Sequence, residues 1–308
     1  MPERPDLEYV VPILARELRG AVIRGVRVDK PVVLRVAVRG RFEELSVGRT
    51  ILGVSRRAHF VLFDVGGEPP LEMAVSPMLA GRFDLTEAAA KAPRDLAVTW
   101  QLGDGRELRY RDDVQMGKVY LIDRGVWAQA PGLATIGVDV LDPAAFTRDA
   151  FRAIAKKRRD QVKVFLMDKT ALDAMGNAYA DEVLFEARLH PKAMVRSLDD
   201  AALDRLHDAI VTVLGRARAV IQERKPPLPD KLRDFLQVRG HQGEPCPRCG
   251  AKLRRAGVHG HDAIFCPECQ PDGRKSAIVD WRRTPKPAAP ADAPGGLQPR
   301  PARTKKPR

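Results

Sequence analysis

The sequence predicts an α+β protein: an N-terminal β-sandwich with one N-terminal helix, a helical second half, and a small four-cysteine zinc hairpin. Three observations lead there. From Val22 to about Asp123, short runs rich in β-branched and aromatic residues follow a period of two, broken by Gly and Pro. After Pro131 the apolar spacing becomes helical. All four cysteines lie in two knuckles, Cys246-Pro-Arg-Cys249 and Cys266-Pro-Glu-Cys269, separated by sixteen residues.

Residues 6–20 carry the first helix, with Leu7, Val10, Val11, Leu14 and Leu18 on one face. Pro12 lies inside that pattern and predicts a kink or a shifted start, because it lacks an N–H and crowds the preceding turn. The strand candidates include 32–38, 60–65 and 96–100, separated by Gly66-Gly67, Pro69-Pro70 and Gly103-Asp104-Gly105. Four helical stretches follow, at 146–157, 162–173, 178–189 and 201–224, and Pro226-Pro227-Leu228-Pro229 ends the run. Each Cys-x-x-Cys places two sulfurs on one tight turn, and the intervening residues form a hairpin that completes a tetrahedron for one structural Zn²⁺. The divisions that result are 1–135, 136–235, 236–272 and a basic tail, 273–308.

Charge points to the partner. The chain of 308 residues carries a net +13, and residues 270–308 hold ten Lys/Arg against three Asp, so +7 of the excess (10 − 3) lies there. A basic surface favours polyanions through counterion release. The Pro/Ala/Lys/Arg-rich tail cannot bury enough apolar area to fold, and reads as a disordered, sequence-independent tether. No apolar run approaches the roughly 20 residues of a membrane span.

Two constellations carry chemistry. Removal of Met1 would leave Pro2 as a chain-terminal secondary amine, whose pKa of about 7.7–8.0 keeps a fraction neutral and nucleophilic near neutrality. Such an amine attacks an electrophilic sugar carbon to give an iminium, and Glu3 beside it can move protons. The second is the run from Lys163 through Asp168 and Gly176-Asn177 to Glu182, where one helix ends and another begins. Asn177 is a favourable N-cap there, and free N–H groups at the new helix start would suit a phosphate.

Taken together, these residues resemble the formamidopyrimidine-DNA glycosylase and endonuclease VIII family, from Met1 to about Gln270. The resemblance rests on Pro2-Glu3-x-Pro5-acidic-x-Glu8, on Asp168…Gly176-Asn177-Ala-Tyr179-Ala180-Asp181-Glu182, on Gly243-Glu244-Pro245-Cys246, and on Phe265-Cys266-Pro267-Glu268-Cys269-Gln270. It implies a helix-two-turn-helix domain and a base-excision enzyme that flips a damaged nucleotide out of double-stranded DNA. The Pro2 amine would form a Schiff base at C1′, and β,δ-elimination would cut the strand at the abasic site. Glu3 matches the family's essential acid, and Asp6 its neighbouring carboxylate, shortened from Glu. Asn177, Lys163 and the finger hairpin match groups that hold the DNA backbone. The same resemblance implies a monomer in the cytoplasm, associated with the nucleoid.

The departures fall at functional positions. His59, in Arg56-Arg57-Ala58-His59, stands where the family has a phosphate-binding lysine, and His261 where it has the hairpin arginine. Both would be mostly neutral at pH 7, so DNA binding is expected to tighten below about pH 6.5. Leu79 and Met116 are the candidate wedges for the gap left by a flipped base, and Gln115 the candidate contact to the widowed base. Asp168-Lys169 replaces the usual Asp-Gln, and the short segment before the finger suggests an endonuclease VIII-like or divergent specificity. The competing readings are a weakened or lyase-only protein that recognises lesions, and a zinc-ribbon regulator without chemistry. The second of these leaves the N-terminus unexplained.

Overall fold

The computed structural model describes residues 2–173 and 175–272. The tail at 273–308, read above as a tether, lies outside the described residues. Helix α1 (Arg4–Leu18) opens the chain, with Pro5 in its first turn and the Glu3 N–H donating to Asp6 Oδ2 at 2.8 Å. That bond satisfies a donor the helix start leaves open, and the start is therefore set at Glu3 rather than shifted by Pro12. The helix continues through Pro12, which is exposed.

Nine strands then form two sheets. One is ordered β1 (Ile23–Val28), β7 (Leu96–Leu102), β8 (Arg106–Arg111), β6 (Arg82–Glu87). The other is ordered β2 (Leu34–Val36), β9 (Lys118–Asp123), β5 (Leu71–Ser76), β4 (Phe60–Val65), β3 (Ile51–Arg57). Pairing is antiparallel throughout except between β2 and β9. Only Leu34–Val36 of the run expected at 32–38 becomes strand, because Pro31–Val33 closes a 3₁₀ turn first. A short helix, α2 (Phe42–Ser46), follows β2.

The inner faces share one core with α1, in which Leu7, Leu14, Trp100, Phe63, Phe83 and Val119 are all buried. Strands β4 and β5 are buried on both faces because the segment around Trp127–Leu133 covers their outer side, where Phe60, Leu62, Ala74 and Ile122 pack. The period of two expected across 22–123 therefore fails in β4 and β5, whose residues are mostly apolar on both faces.

A second core belongs to the helices α3 (Arg148–Ala155), α4 (Val162–Met167), α5 (Asn177–Glu186) and α6 (Asp200–Arg224). Helix α4 is shorter than the stretch 162–173 predicts. Asp168 ends it, its Oδ1 accepting from the Thr170 N–H at 2.9 Å and hydroxyl at 2.7 Å, a local bond that competes with helix continuation. Helix α6 packs back on α1 and so joins the two halves. The finger hairpin, β10 (Arg254–Val258) and β11 (His261–Phe265), turns through His259 and Gly260, both at positive φ. It rests on α5 through Phe185, Val238, Leu253 and Ile264.

Candidate active site and metal centre

The site lies where α1 meets α5. Pro2 is buried beside Asp6, Arg82, Leu228 and Lys231 around a cavity of about 20 Å³. That is room for a water, not a nucleobase, so an everted base requires this wall to open. The segment 226–233 forms the wall. The Tyr9 hydroxyl donates to the Pro226 carbonyl at 2.9 Å, and Lys231 Nζ to the Leu79 carbonyl at 3.3 Å.

Glu3 points away from its own helix and into the start of α5. Its carboxylate accepts the N–H groups of Gly176 at 2.9 Å, Ala178 at 3.0 Å and Tyr179 at 3.2 Å. Burial pushes its carboxyl up, while Arg233 and these N–H groups pull the other way. The N-cap is Gly176 and not Asn177, and these donors are not open to a phosphate: the Glu3 carboxylate already takes them. Lys169, half-buried in the turn before α5, lies within electrostatic reach of Glu3.

Asp6, named with Pro2 and Glu3 as a catalytic candidate, is paired with an arginine. Arg233 holds both of its oxygens, Nη1 to Oδ1 at 2.9 Å and Nη2 to Oδ2 at 2.6 Å, while Oδ2 also accepts the Glu3 N–H. A carboxylate so engaged anchors Arg233 and the start of α1. Below it, Arg4 and Arg56 share Asp173 at 2.7 and 2.6 Å and Asp139 at 2.9 and 3.2 Å. Sequence reasoning missed Arg233, Arg4 and Asp173. Arg233 follows a proline-rich break that signals only a helix end, and Arg4 reads as one more surface cation.

Two residues expected from the sequence to contact DNA lie inside the protein rather than at its surface. Lys163 is fully buried, its ammonium bonded to the Asp181 carboxylate and to the Asp262 carbonyl. It fastens the finger to α5 and offers no donor to solvent. His59 is buried at 7% exposure, its ring 4.4 Å from that of Phe60. Burial, with Lys169 adding to it, pulls its pKa down to about 3, so it remains neutral at pH 6. The expected gain in binding below pH 6.5 therefore cannot come from this residue.

The other candidates are at the surface. His261 is exposed on the hairpin, and Asn177 Nδ2 donates to Asp262 Oδ1 at 2.8 Å. Leu79, Gln115 and Met116 are exposed on two loops, 77–81 and 113–117. Asp112 shapes the second loop, accepting from the N–H groups of Val114, Gln115 and Gly117. Both loops close on Tyr110: a Cβ at Gly81 would lie 2.3 Å from its hydroxyl, and one at Gly117 1.9 Å. Glycine is required at both places because of that approach.

The four cysteines carry no disulfide, and their sulfurs all lie within 4.8 Å of one another. Cys246 and Cys269 are 3.9 Å apart, Cys249 and Cys266 3.4 Å. A tetrahedron with Zn–S bonds of about 2.3 Å has edges of roughly 3.8 Å. The donor set and spacing fit one structural Zn²⁺, held by Cys246, Cys249, Cys266 and Cys269.

Comparison with known proteins agrees with this arrangement. Residues 1–119 match the formamidopyrimidine-DNA glycosylase N-terminal domain, 136–224 the formamidopyrimidine-DNA glycosylase H2TH domain, and 243–271 a zinc finger found in FPG and IleRS. A formamidopyrimidine-DNA glycosylase of Symbiobacterium thermophilum is 32% identical over 92% of this chain and 94% of its own. One of Moorella thermoacetica is 35% identical over 83% of this chain and 94% of its own. The Lactococcus lactis Fpg in complex with abasic-site DNA superposes with a TM-score of 0.78 at 27% identity, covering 88% of this chain and 100% of that one. These relatives bear the formamidopyrimidine name, in contrast to the endonuclease VIII leaning of the short pre-finger segment. By domain content, identity and coverage, this chain belongs to the formamidopyrimidine-DNA glycosylase family.

Proposed function

We propose that this DNA glycosylase and abasic-site lyase works through the Pro2 amine, exposed by removal of Met1. Its partner is double-stranded DNA bearing a damaged base or an abasic site, bound by a monomer. The observation that carries the residue assignment is the seating of Glu3, next in sequence to Pro2, on the first turn of α5. This holds the chain start at the junction of the two halves, between the loops of the sandwich and the helical domain.

The Pro2 nitrogen attacks C1′, and the bond from C1′ to the base breaks, the base leaving with a proton. The sugar opens to an iminium. Loss of a C2′ proton then expels the 3′ phosphate, and a second elimination expels the 5′ phosphate. Glu3, close to the nitrogen and held neutral more readily than a surface glutamate, is placed to give and take these protons. Leu79 and Met116 fill the vacated stack, with Gln115 at the widowed base. Asn177 and His261 face the backbone. Among the described residues no helix is long and apolar enough to cross a membrane. A cytoplasmic, nucleoid-associated placement is part of the same proposal.

The test is borohydride trapping of the Met1-processed protein on abasic and oxidised-base duplexes. A covalent adduct that Pro2→Gly abolishes is expected on both. An adduct on abasic DNA without release of any damaged base would favour the lyase-only reading, and no adduct on either would remove the enzymatic account.

A further inference from the structure

We infer that Arg233 is a positioning residue for the chemistry proposed at Pro2: it holds Glu3 from two sides and supplies the positive charge that faces its carboxylate. This role rests on the reading of Glu3 as the group that moves protons. Arg233 comes from the segment before the finger and reaches the chain start across 227 positions. Its Nη1 donates to Asp6 Oδ1 at 2.9 Å and its Nη2 to Asp6 Oδ2 at 2.6 Å. The same Oδ2 accepts the Glu3 N–H at 2.8 Å, so the fork of Arg233 steadies the main chain of Glu3. Its guanidinium carbon lies 5.2 Å from the centre of the Tyr179 ring. The Tyr179 N–H in turn donates to Glu3 Oε2 at 3.2 Å. One planar cation therefore touches two of the residues that hold Glu3, Asp6 at its main chain and Tyr179 at its carboxylate.

Arg233 is committed to this junction. Its side chain is 26% exposed, and Nη1 also donates to the Leu232 carbonyl at 2.7 Å. The charged and titratable groups around Glu3 are the adjoining Pro2 amine, Asp6 on α1, Lys169 in the turn before α5, Tyr179 on α5, and Arg233. Burial pushes the Glu3 carboxyl up. Arg233 is the strongest pull the other way, Asp6 pushes up, and the N–H groups of Ala178 and Tyr179 pull down. Burial keeps Tyr179 neutral. Asp6 and Arg233 thus act on Glu3 with opposite sign while bonded to each other. Loss of Arg233 leaves Glu3 and Asp6 as two buried acids side by side, and Glu3 then keeps its proton to a higher pH. A proton donor works while protonated and an acceptor while ionised, so either limb of a pH–rate profile moves upward with it.

The test uses the full zinc-loaded, Met1-processed chain, isotope-labelled at the glutamate side-chain carboxyl. The Glu3 NMR signal is assigned by its loss in Glu3→Gln, and its titration is followed directly. Single-turnover base release and strand cleavage are measured across pH on oxidised-base and abasic duplexes at saturating protein. Arg233→Met should titrate Glu3 at higher pH and carry the rate profile with it. Base release near neutrality should slow by about 10²-fold, the cost of a misplaced reacting group. Affinity for a duplex with one reduced abasic site should stay at the parental value. Arg233→Lys, which keeps the charge but not the fork, should restore the profile and part of the rate. Asp6→Asn keeps an acceptor for the Glu3 N–H and removes the negative charge, so Glu3 and the profile should move to lower pH. This near-isosteric variant tests the same charges should Arg233→Met fail to fold. Parental titration of Glu3 in the variants, shifts of the same sign in Arg233→Met and Asp6→Asn, or weaker DNA binding at an unchanged saturating rate would each overturn the role of Arg233. If the parent releases base and traps on abasic DNA while the variants fail as described, only that role falls. If Glu3→Gln is as fast as the parent, the reading of Glu3 beneath it falls too.

Discussion

The carboxylate of Glu3 accepts the backbone N–H of Gly176 at 2.9 Å, across 173 positions of chain. Through this bond the chain start is aligned by a helix of the other half, and the positive end of α5 favours the ionised acid that burial opposes. Replacing Glu3 by Gln removes both the charge and one acceptor oxygen. Release of an oxidised base should slow by about 10²–10⁴-fold, the contribution of a placed acid–base group. An N–H left without an acceptor should also cost about 1–3 kcal/mol of stability. Single-turnover base release and chemical denaturation measure the two effects separately. An unchanged release rate would remove Glu3 from the chemistry.

Lys163 distinguishes a fastening role from a phosphate contact. Its ammonium is enclosed by Asp181 and the Asp262 carbonyl, and burial lowers its pKa against the opposing pull of the Asp181 carboxylate. Lys163→Met leaves Asp181 buried with Arg239 as its remaining cation, and removal of one partner of a buried pair costs about 3–5 kcal/mol. We expect a lower denaturation midpoint and faster zinc loss to a chelator. A variant of parental stability whose only change is a flatter salt dependence of DNA binding would restore Lys163 to the DNA surface.

His59 gives a pH dependence of stability rather than of binding. The unfolded chain takes up this proton near pH 6.5 and the folded chain only near about 3. The stability associated with neutral His59 is thus present above pH 6.5 and is lost progressively as pH falls toward 3. Between pH 6.5 and 5 the loss is about 2 kcal/mol, at 1.36 kcal/mol per unit. His59→Gln should be the less acid-sensitive protein by that amount, with denaturation at pH 7.5 and 5 compared for both chains. Parallel losses in the two would show that His59 titrates as a surface group does.

The features legible in the amino-acid order are those that local chemistry encodes. Period-two runs mark most of the strands and Cys-x-x-Cys spacing the metal site. Each depends on neighbours within a few residues. The exceptions are instructive: α4 ends early because Asp168 bonds its own following turn, and 31–33 curls before β2 begins.

Tertiary packing decided which charged groups remain available. Lys163, His59, His261 and Asn177 are the candidate phosphate contacts that the family resemblance implies. Packing buries Lys163 against Asp181, leaves His59 neutral in an apolar wall, and turns the Asn177 amide to Asp262. Arg233 was ordinary in sequence and became the clamp on Asp6. Desolvation and ion pairing depend on segments far apart in the chain brought within about 3–4 Å, and neither periodicity nor motif spacing records which segments those are.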